Sequence, residues 1–599
     1  MAKSLDEKVY DNNLELGFVD GGRTNSKEDV SSVKASKNTV PEPPRREITY
    51  IKGWRFHLIS IAIGLCVFLV NMESSIVSTS LVTMSNEFHG FNRSTWVVTA
   101  YLSTYTDPTC VTVSLMLLSS GFLIIWARIS DVFGRKWTYV VTNFIFLAFS
   151  AACGSAQSMI QLLTTQYVTA RSERTLGRII CRAFQGMGAS GAFSVSLTIF
   201  YDFIPPTKYP LYGALMSTLS AVGALGGPLL GGVIDNTSTW RWIFFFQIPA
   251  LSLVLAFIIF LLPQQFPYHG SPALVVSPTA QVRAPWYSKL KEIDFIGALL
   301  LLCASILLIT DLLEVSTVFT WHSAVIICLL TVSGVMWILF GGWESFLGSR
   351  NSITEPMFPR ALLHNRIWIG IALTSFLVGI PSQVITIEIP QKAQAVYGDD
   401  PWQAGYKLIA YTLGVPVGSI VSNTIISRTK MAPIYLLFCN TALQTLGVSL
   451  MQTIPVSGQV PGQLHFFEVM IAFGVGGSFA LLIVLNPLCI EPKYIATASG
   501  AVVQFRMTGC TLGLAAVTTA LNNYLSSHLP DVLTPAQLKN VLQSTSVISN
   551  LPPELRTQVQ TIFGRGYNLQ LQILIGFTSA QFFAICLIWN KPQLGIKKS

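Results

Sequence analysis

The chain has 599 residues, 51% of them apolar and only 11% charged, with a mean hydropathy of +0.54. Soluble domains carry about 25% charged residues, so this composition excludes an ordinary soluble protein and fits a polytopic membrane protein, counted in spans rather than cores. The net charge of +9 reflects 38 Lys and Arg against 29 Asp and Glu, but the bases sit in short loops between apolar runs, which points to membrane orientation rather than nucleic acid.

Residues 1–53 are polar, end in Pro41-Glu42-Pro43-Pro44-Arg45-Arg46, and cannot bury enough apolar surface to offset ordering; a disordered tail is expected there. No apolar h-region opens the chain, so the first span is expected to act as its own insertion signal. Apolar runs of about 20 residues then recur, each long enough to cross a ~30 Å hydrocarbon core. Spans are expected near 56–80, 96–129, 137–156, 179–200, 211–234, 241–262, 293–313, 322–341, 366–387, 404–427, 433–453, 465–488, 496–521 and 569–590, fourteen in all. Ten cysteines are spread along the chain without a CxxC pair, most of them inside these runs. They read as small buried apolar side chains, not as a zinc site or a disulfide framework.

Lys and Arg bias sets the orientation. With the tail inside, Arg128, Arg135, Lys136, Lys208, Arg283, Lys289, Lys291, Arg350, Arg360, Arg366, Arg428, Lys430, Lys493 and Lys591 fall on one side, while the outer loops hold chiefly Arg93, Arg241 and Lys392. Both termini are then cytoplasmic. The sequons at Asn92 and Asn236 fall outside, as glycosylation candidates, and so does the long segment 523–567. Within that segment Thr534-Pro535 before Leu538, Val541 and Leu542 reads as an N-cap, an N1 proline and a short amphipathic helix.

Four patches carry chemistry. Asp131-Val132-Phe133-Gly134-Arg135-Lys136 follows span two, and Arg182-Ala183-Phe184-Gln185-Gly186-Met187-Gly188 stands in span four. Span five contains Gly223-Ala224-Leu225-Gly226-Gly227-Pro228-Leu229-Leu230-Gly231-Gly232, and span one carries a lone acid, Glu73. Together these resemble the major facilitator superfamily, and within it the fourteen-span drug:proton antiporters of the fungal toxin and multidrug efflux type; the resemblance covers residues 54–592. The DxxGRK loop is matched at Asp131, Gly134, Arg135 and Lys136, with Ala127 in place of the usual leading glycine. RxxQGxG is complete at Arg182, Gln185, Gly186 and Gly188, and the antiporter motif GxxxGPxxGG at Gly223, Gly227, Pro228, Gly231 and Gly232. The span-one acid of the family is usually Asp; Glu73 keeps the charge and lengthens the reach. Trp240-Arg241-Trp242 with Phe244 and Pro249 matches the start of span six, and Phe505-Arg506 with Gly509 and Gly513 the span-thirteen pattern.

The physics of these patches stands without the family. An ionisable group at membrane depth costs at least ~2.5–3.5 kcal/mol, so it normally has a partner or a role. Glu73 lies 18 residues beyond Arg55, about 27 Å along a helix, and Arg182 near the outer start of span four, so the two share a similar depth. A carboxylate facing a guanidinium stays ionised, and separation raises its pKa until it takes a proton. Two readings are open: a proton-coupling switch, or a static ion pair. Gly223, Gly227 and Gly231 line one helix face, and Pro228 favours a kink; a seal or hinge and ordinary small-residue packing are both compatible with that stripe. The Asp131–Lys136 loop offers charges for a helix end, as a latch between bundles or as a positive-inside anchor. Arg506 is a further intramembrane charge with a claim to a role, while Glu388 fits a headgroup position. The seven histidines fall at span ends or in loops, which disfavours a histidine relay. No GxxxxGK[ST], HExxH, zinc cluster or nucleophile elbow occurs, so neither an ATP-driven pump, an enzyme, a metal site nor a cofactor is expected.

The expected fold is an all-α membrane protein of the major facilitator type. Residues 1–53 form the tail, 54–262 an N-terminal six-helix bundle, 263–365 a loop and two linker helices, and 366–599 a C-terminal six-helix bundle. The resemblance implies a proton-coupled antiporter exporting small amphipathic toxins, drugs or secondary metabolites, monomeric, in the plasma membrane or alternatively the vacuolar membrane, with protons and a small molecule as partners. An uptake symporter, for instance for iron chelates, is the alternative on the same fold. An inactive product of a faulty gene model is another, because two segments break the pattern. Trp96–Thr106 and Gly121–Ile129 sum to 20 residues, about 30 Å, whereas 96–129 entire would be about 51 Å as one helix, interrupted at Asp107-Pro108. Residues 163–178 add Arg171, Arg174 and Arg178 on the outer side, against the charge rule. Both segments read either as translated introns or as genuine insertions. If 107–120 is intron-derived, the mature transcript lacks its codons, and deleting the segment raises the amount of protein in the membrane; a transcript that keeps the codons, with a deletion variant that loses transport, establishes a real insertion.

Overall fold

The computed structural model describes residues 53–87, 122–155, 180–266 and 293–590, save short stretches within them, chiefly 206–207, 318–322, 350–353, 455–461 and 542–547. Segments 107–120 and 163–178, the tail and Asn92 therefore lie outside the described residues. What is described is helical. The helices are α1 (Trp54–Glu87), α2 (122–133), α3 (Arg135–Gly154), α4 (Ile180–Phe203), α5 (Tyr209–Thr237), α6 (Trp242–Leu261) and α7 (Phe295–Thr317). They continue as α8 (Ala324–Leu347), α9 (Arg366–Lys392), α10 (Gln403–Arg428), α11 (Pro433–Gln452), α12 (Gln463–Leu485), α13 (Ile495–His528) and α14 (Pro553–Ile588). Among the described residues ten are long and apolar enough to cross a membrane, and two shorter apolar stretches, Leu211–Ala224 and Phe295–Leu308, lie in α5 and α7. Each falls at an expected span; of span two, only residues from 122 onward are described.

Helix ends are set by local chemistry. Asp294 accepts from the Gly297 N–H at 2.8 Å at the start of α7, and Asn365 accepts from Ile367 and Trp368 N–H at 3.1 and 3.3 Å at the start of α9. Gly134, at φ +95°, separates α2 from α3 in a backbone conformation that side chains with a Cβ rarely adopt.

Packing inside each half depends on glycine. A Cβ on Gly223 of α5 would strike the Phe68 carbonyl of α1, and one on Gly188 of α4 would come within 2.5 Å of the Phe146 nitrogen of α3. In the second half, Cβ atoms on Gly379 of α9 and Gly509 of α13 would strike the Arg506 and Phe376 carbonyls of the facing helix. Gly418 and Gly476 bring α10 and α12 together in the same way. Helices one and five of the first half are thus joined like helices nine and thirteen, their counterparts in the second half. Linker helices α7 and α8 pair with each other, and α7 leans on α13.

Across the seam α5 meets α10 and α12, and α4 meets α13. The polar contacts there cluster at the end that carries the Asp131–Lys136 segment. Tyr201 Oη donates to the Ile483 carbonyl at 2.9 Å, and the Cβ position of Gly500 lies 3.2 Å from the Leu123 carbonyl. At the same end Arg128 of α2 donates to the Pro356 carbonyl, in the segment between α8 and α9. Glu344 of α8 accepts from the Met357 and Phe358 N–H groups at 3.0 and 3.1 Å, and Trp343 donates to Asp294 at 2.9 Å. These contacts lie over an apolar cluster that includes Ile124, Leu301, Phe340, Phe358, Trp368 and Ala498.

At the opposite end, the segment after α13 is ordered by its own core. Thr534 and Gln537 form the expected helix start, with the Thr534 N–H donating to Gln537 at 3.1 Å. Leu525, Leu533, Val541, Ile548, Val559 and Phe563 bury one another there. Glu388 departs from expectation: it is 2% exposed, enclosed by protein rather than presented to headgroups. Because Glu344 alone satisfies two buried N–H donors, Glu344→Ala should destabilise the protein by about 1–3 kcal/mol. The check is the melting temperature of the purified, solubilised protein; an unchanged value refutes the clamp.

Candidate functional site

Glu73 is fully buried in α1. Its carboxylate accepts from Nε2 of Gln247, itself fully buried in α6. Two residues before it, Asn71 bonds back to the Val67 carbonyl at 2.8 Å and across to Ser220 of α5 at 3.3 Å. Gly223 of α5 packs over the same stretch of α1, its missing Cβ leaving 3.3 Å to Asn71. The acid of span one and the first glycine of the span-five motif therefore belong to one helix junction. Of Arg182, the backbone in α4 is described and the side chain is not, so its pairing with Glu73 lies outside the described residues. The same holds for the side chains of Pro228 and Asn236; the α5 helix itself runs through Pro228 to Thr237, with Gly227 and Gly231 buried and Gly232 within it.

The rest of the RxxQGxG stretch packs α4 on α3. Gln185 Nε2 donates to Ser150 at 2.8 Å, and Gly188 permits the contact with Phe146. Trp126 of α2 donates to the Met187 carbonyl at 2.9 Å, and Ser194 to the Leu123 carbonyl at 2.8 Å. These bonds tie α2 to α4 as well.

The Asp131–Lys136 segment forms a network of its own. Arg135 pairs with Asp131 and, at 2.9 Å, with Asp202 at the end of α4, and donates to Ser130 at 2.9 Å. Lys136 donates to the Ile259 and Leu262 carbonyls at 2.7 and 2.6 Å, closing the C-terminal end of α6, where cations suit the helix dipole. These partners sit on α2, α4 and α6, inside one half. The side chain that reaches the linker is Arg128, three residues earlier. Asp202 and Gln247 escaped the sequence reading, although a single acid closing span four and a single amide in apolar span six were their signals.

In the second half Arg506 of α13 lies with its guanidinium carbon 4.1 Å from the ring centroid of Phe479 on α12, within cation–π range. Two other charge pairs of that half form, Lys407 with Asp399 and Glu468 with His465 at 3.0 Å, while the buried carboxylate of Glu388 accepts no hydrogen bond among the described residues. The α1–α5 junction yields a contrast. A Cβ on Gly226 would meet the Phe68 ring at 3.9 Å, an ordinary contact, whereas one on Gly223 meets backbone. Gly223→Ala should cost about 1–3 kcal/mol by overpacking, and Gly226→Ala little. Melting temperatures of the two variants decide; equal losses refute the close approach.

Comparison with known proteins places this architecture. The family profile of the Major Facilitator Superfamily matches residues 63–514. The MFS-type transporter FPY5 of Fusarium mangiferae is 33% identical over 557 residues, 93% of this chain and 86% of its own length. The efflux pump bfoC of Aspergillus brasiliensis is 25% identical over 97% of this chain and 96% of its own. Multidrug resistance protein 3 of Bacillus subtilis is 26% identical over 80% and 81%. Among solved structures, the human organic anion transporter MFSD10 (TETRAN) superposes with a TM-score of 0.51 at 12% identity, covering 87% of this chain and 100% of that one, a likeness of fold. The profile match over most of the chain and the near full-length relatives agree with the helix order and paired halves: this chain belongs to the major facilitator superfamily and is a multi-pass membrane transporter.

Proposed function

We propose that the protein is a proton-coupled efflux transporter, an antiporter that exports small amphipathic toxins, drugs or secondary metabolites from the cell, and that it works in the plasma membrane with its termini inside. The observation that carries this reading is Glu73: a fully buried carboxyl at the junction of α1, α5 and α6, beside the glycine motif that the sequence shares with antiporters. Gln247 suits it to two protonation states. The amide Nε2 donates to the ionised carboxylate, while Oε1 has no hydrogen-bond partner in the structure and can accept from the O–H of the protonated form. Taking up a proton then removes a buried charge without stranding a donor. That change is felt at the α1–α5 contact, where a shift of one helix against the other moves a wall between the halves. Relatives named as efflux pumps and a multidrug resistance protein support the outward direction. Arg182 is the proposed counter-charge that keeps Glu73 ionised in one state. The Asp131, Gly134, Arg135 and Lys136 network is proposed to hold the cytoplasmic end of the first half rigid during the movement.

The test is export from proteoliposomes driven by an imposed pH gradient. One charge crossing 100 mV is worth ~2.3 kcal/mol, so a carrier that loses its proton loses its drive. Glu73→Gln keeps the hydrogen bonds of the pair and should abolish gradient-driven export, leaving gradient-free substrate exchange. Full export by that variant moves the proton site elsewhere, and movement of substrate with the protons rather than against them makes the protein an uptake symporter.

A further inference from the structure

We infer that Arg506 and Phe479 form a binding site for an organic anion, so that the cargo carries a carboxylate or similar acidic group next to an aromatic or apolar body. This deepens the transport reading above and rests on it. Arg506 lies 11 residues into α13, about 16 Å from its start and so near the middle of a ~30 Å core. Among the described residues its guanidinium donates no hydrogen bond, its buried Nε has no acceptor, and no carboxylate lies within ion-pair distance of it. Three other helices surround it: Gly379 of α9 makes room for its stem, Tyr411 of α10 is in electrostatic reach, as is Cys510 of its own helix, and the Phe479 ring of α12 lies 4.1 Å from its guanidinium carbon. None of these supplies a negative charge at neutral pH.

The position of Phe479 brings this group to the seam. Phe479, Ile483 and Val503 are buried in the same apolar cluster as Ile63, Phe200, Tyr209 and Val254 of the first half, and Met507 packs against it. Arg506 therefore stands where the two halves meet. A guanidinium stacked on a ring has its face occupied and its edge donors free, and that edge is the geometry that grips a carboxylate with two parallel bonds. An unsatisfied cation at this depth is costly, so its retention marks a position with a role, and a bound anion satisfies it. The ring under it and the apolar cluster around it suit an aromatic body attached to the acid.

The measurement is thermal stabilisation of the purified full-length protein by two isosteric probes, 2-naphthoate and 2-naphthamide, titrated in a low-salt zwitterionic buffer with and without added chloride. Ligands that bind the folded state raise its melting temperature with the logarithm of ligand concentration over Kd, with no proton gradient needed. The expected result is at least tenfold tighter apparent binding of naphthoate than of naphthamide. In Arg506→Gln that preference disappears while naphthamide binding persists; Arg506→Lys retains part of it and guards against a folding defect. Equal binding of the two probes, or binding of neither, overturns the assignment. A preference that survives Arg506→Gln also overturns it, and leaves the guanidinium as an internal counter-ion for the opposite half. Stabilisation by chloride equal to that by naphthoate, and lost in Arg506→Gln, reassigns the site to a small inorganic anion. Intact naphthoate selectivity in a protein that fails to couple to protons refutes antiport alone.

Discussion

Everything in this fold depends on helices approaching until backbone touches backbone. In lipid there is no hydrophobic drive to hold apolar helices together, because a Leu is as comfortable against an acyl chain as against another Leu; close packing and buried polar bonds do the work. The protein meets that demand with glycines placed opposite carbonyls: Gly223 on Phe68, Gly509 on Phe376, Gly418 on Phe473, Gly476 on Val415. Each pair brings two helices into contact along a smooth track. A surface without side chains lets the helices of each half pack tightly where no hydrophobic drive would hold them.

Charge is distributed with equal economy. At the end carrying the Asp131–Lys136 segment, carboxylates and bases satisfy one another or helix termini: Arg135 with Asp131 and Asp202, Lys136 with the carbonyls closing α6, Glu344 with the N–H groups of Met357 and Phe358. Deeper in, two ionisable groups sit at helix junctions: Glu73 between α1 and α6 beside α5, and Arg506 of α13 among α9, α10 and α12. One is an acid in the first half and the other a base in the second.

Much of this was legible in the sequence, for physical reasons. Twenty-residue apolar runs have one stable solution in a bilayer, so the helices follow from length alone. The Gly223-to-Gly231 stripe announced a close approach because four-residue spacing places small residues on one face. Gln247 and Asp202 were harder: a lone amide or acid in a span shows that a partner exists but not which helix supplies it, since that depends on three-dimensional neighbours. Glu388 illustrates the same limit, as its place near a span end could not reveal that surrounding helices enclose it. Phe479 gave no signal at all, being one of 36 phenylalanines; only its position under Arg506 distinguishes it.

The Arg135 network bears on how variants of this transporter are to be interpreted. Its described bonds run among α2, α4 and, through Lys136, α6, all within one six-helix unit, while the seam itself is crossed at this end by contacts such as the single hydroxyl of Tyr201 on the Ile483 carbonyl. One neutral hydrogen bond contributes only about 0.5–1.5 kcal/mol. At this end the hydroxyl of Tyr201 adds to the apolar contacts that Phe479, Ile483 and Val503 make with the first half, and joins the halves without stiffening either. Damage to the Asp131–Lys136 segment softens one half; a change at Tyr201 weakens a contact between the halves. Two variants that both stop transport would then do so through separate causes, one visible in the stability of the protein and the other only in its kinetics.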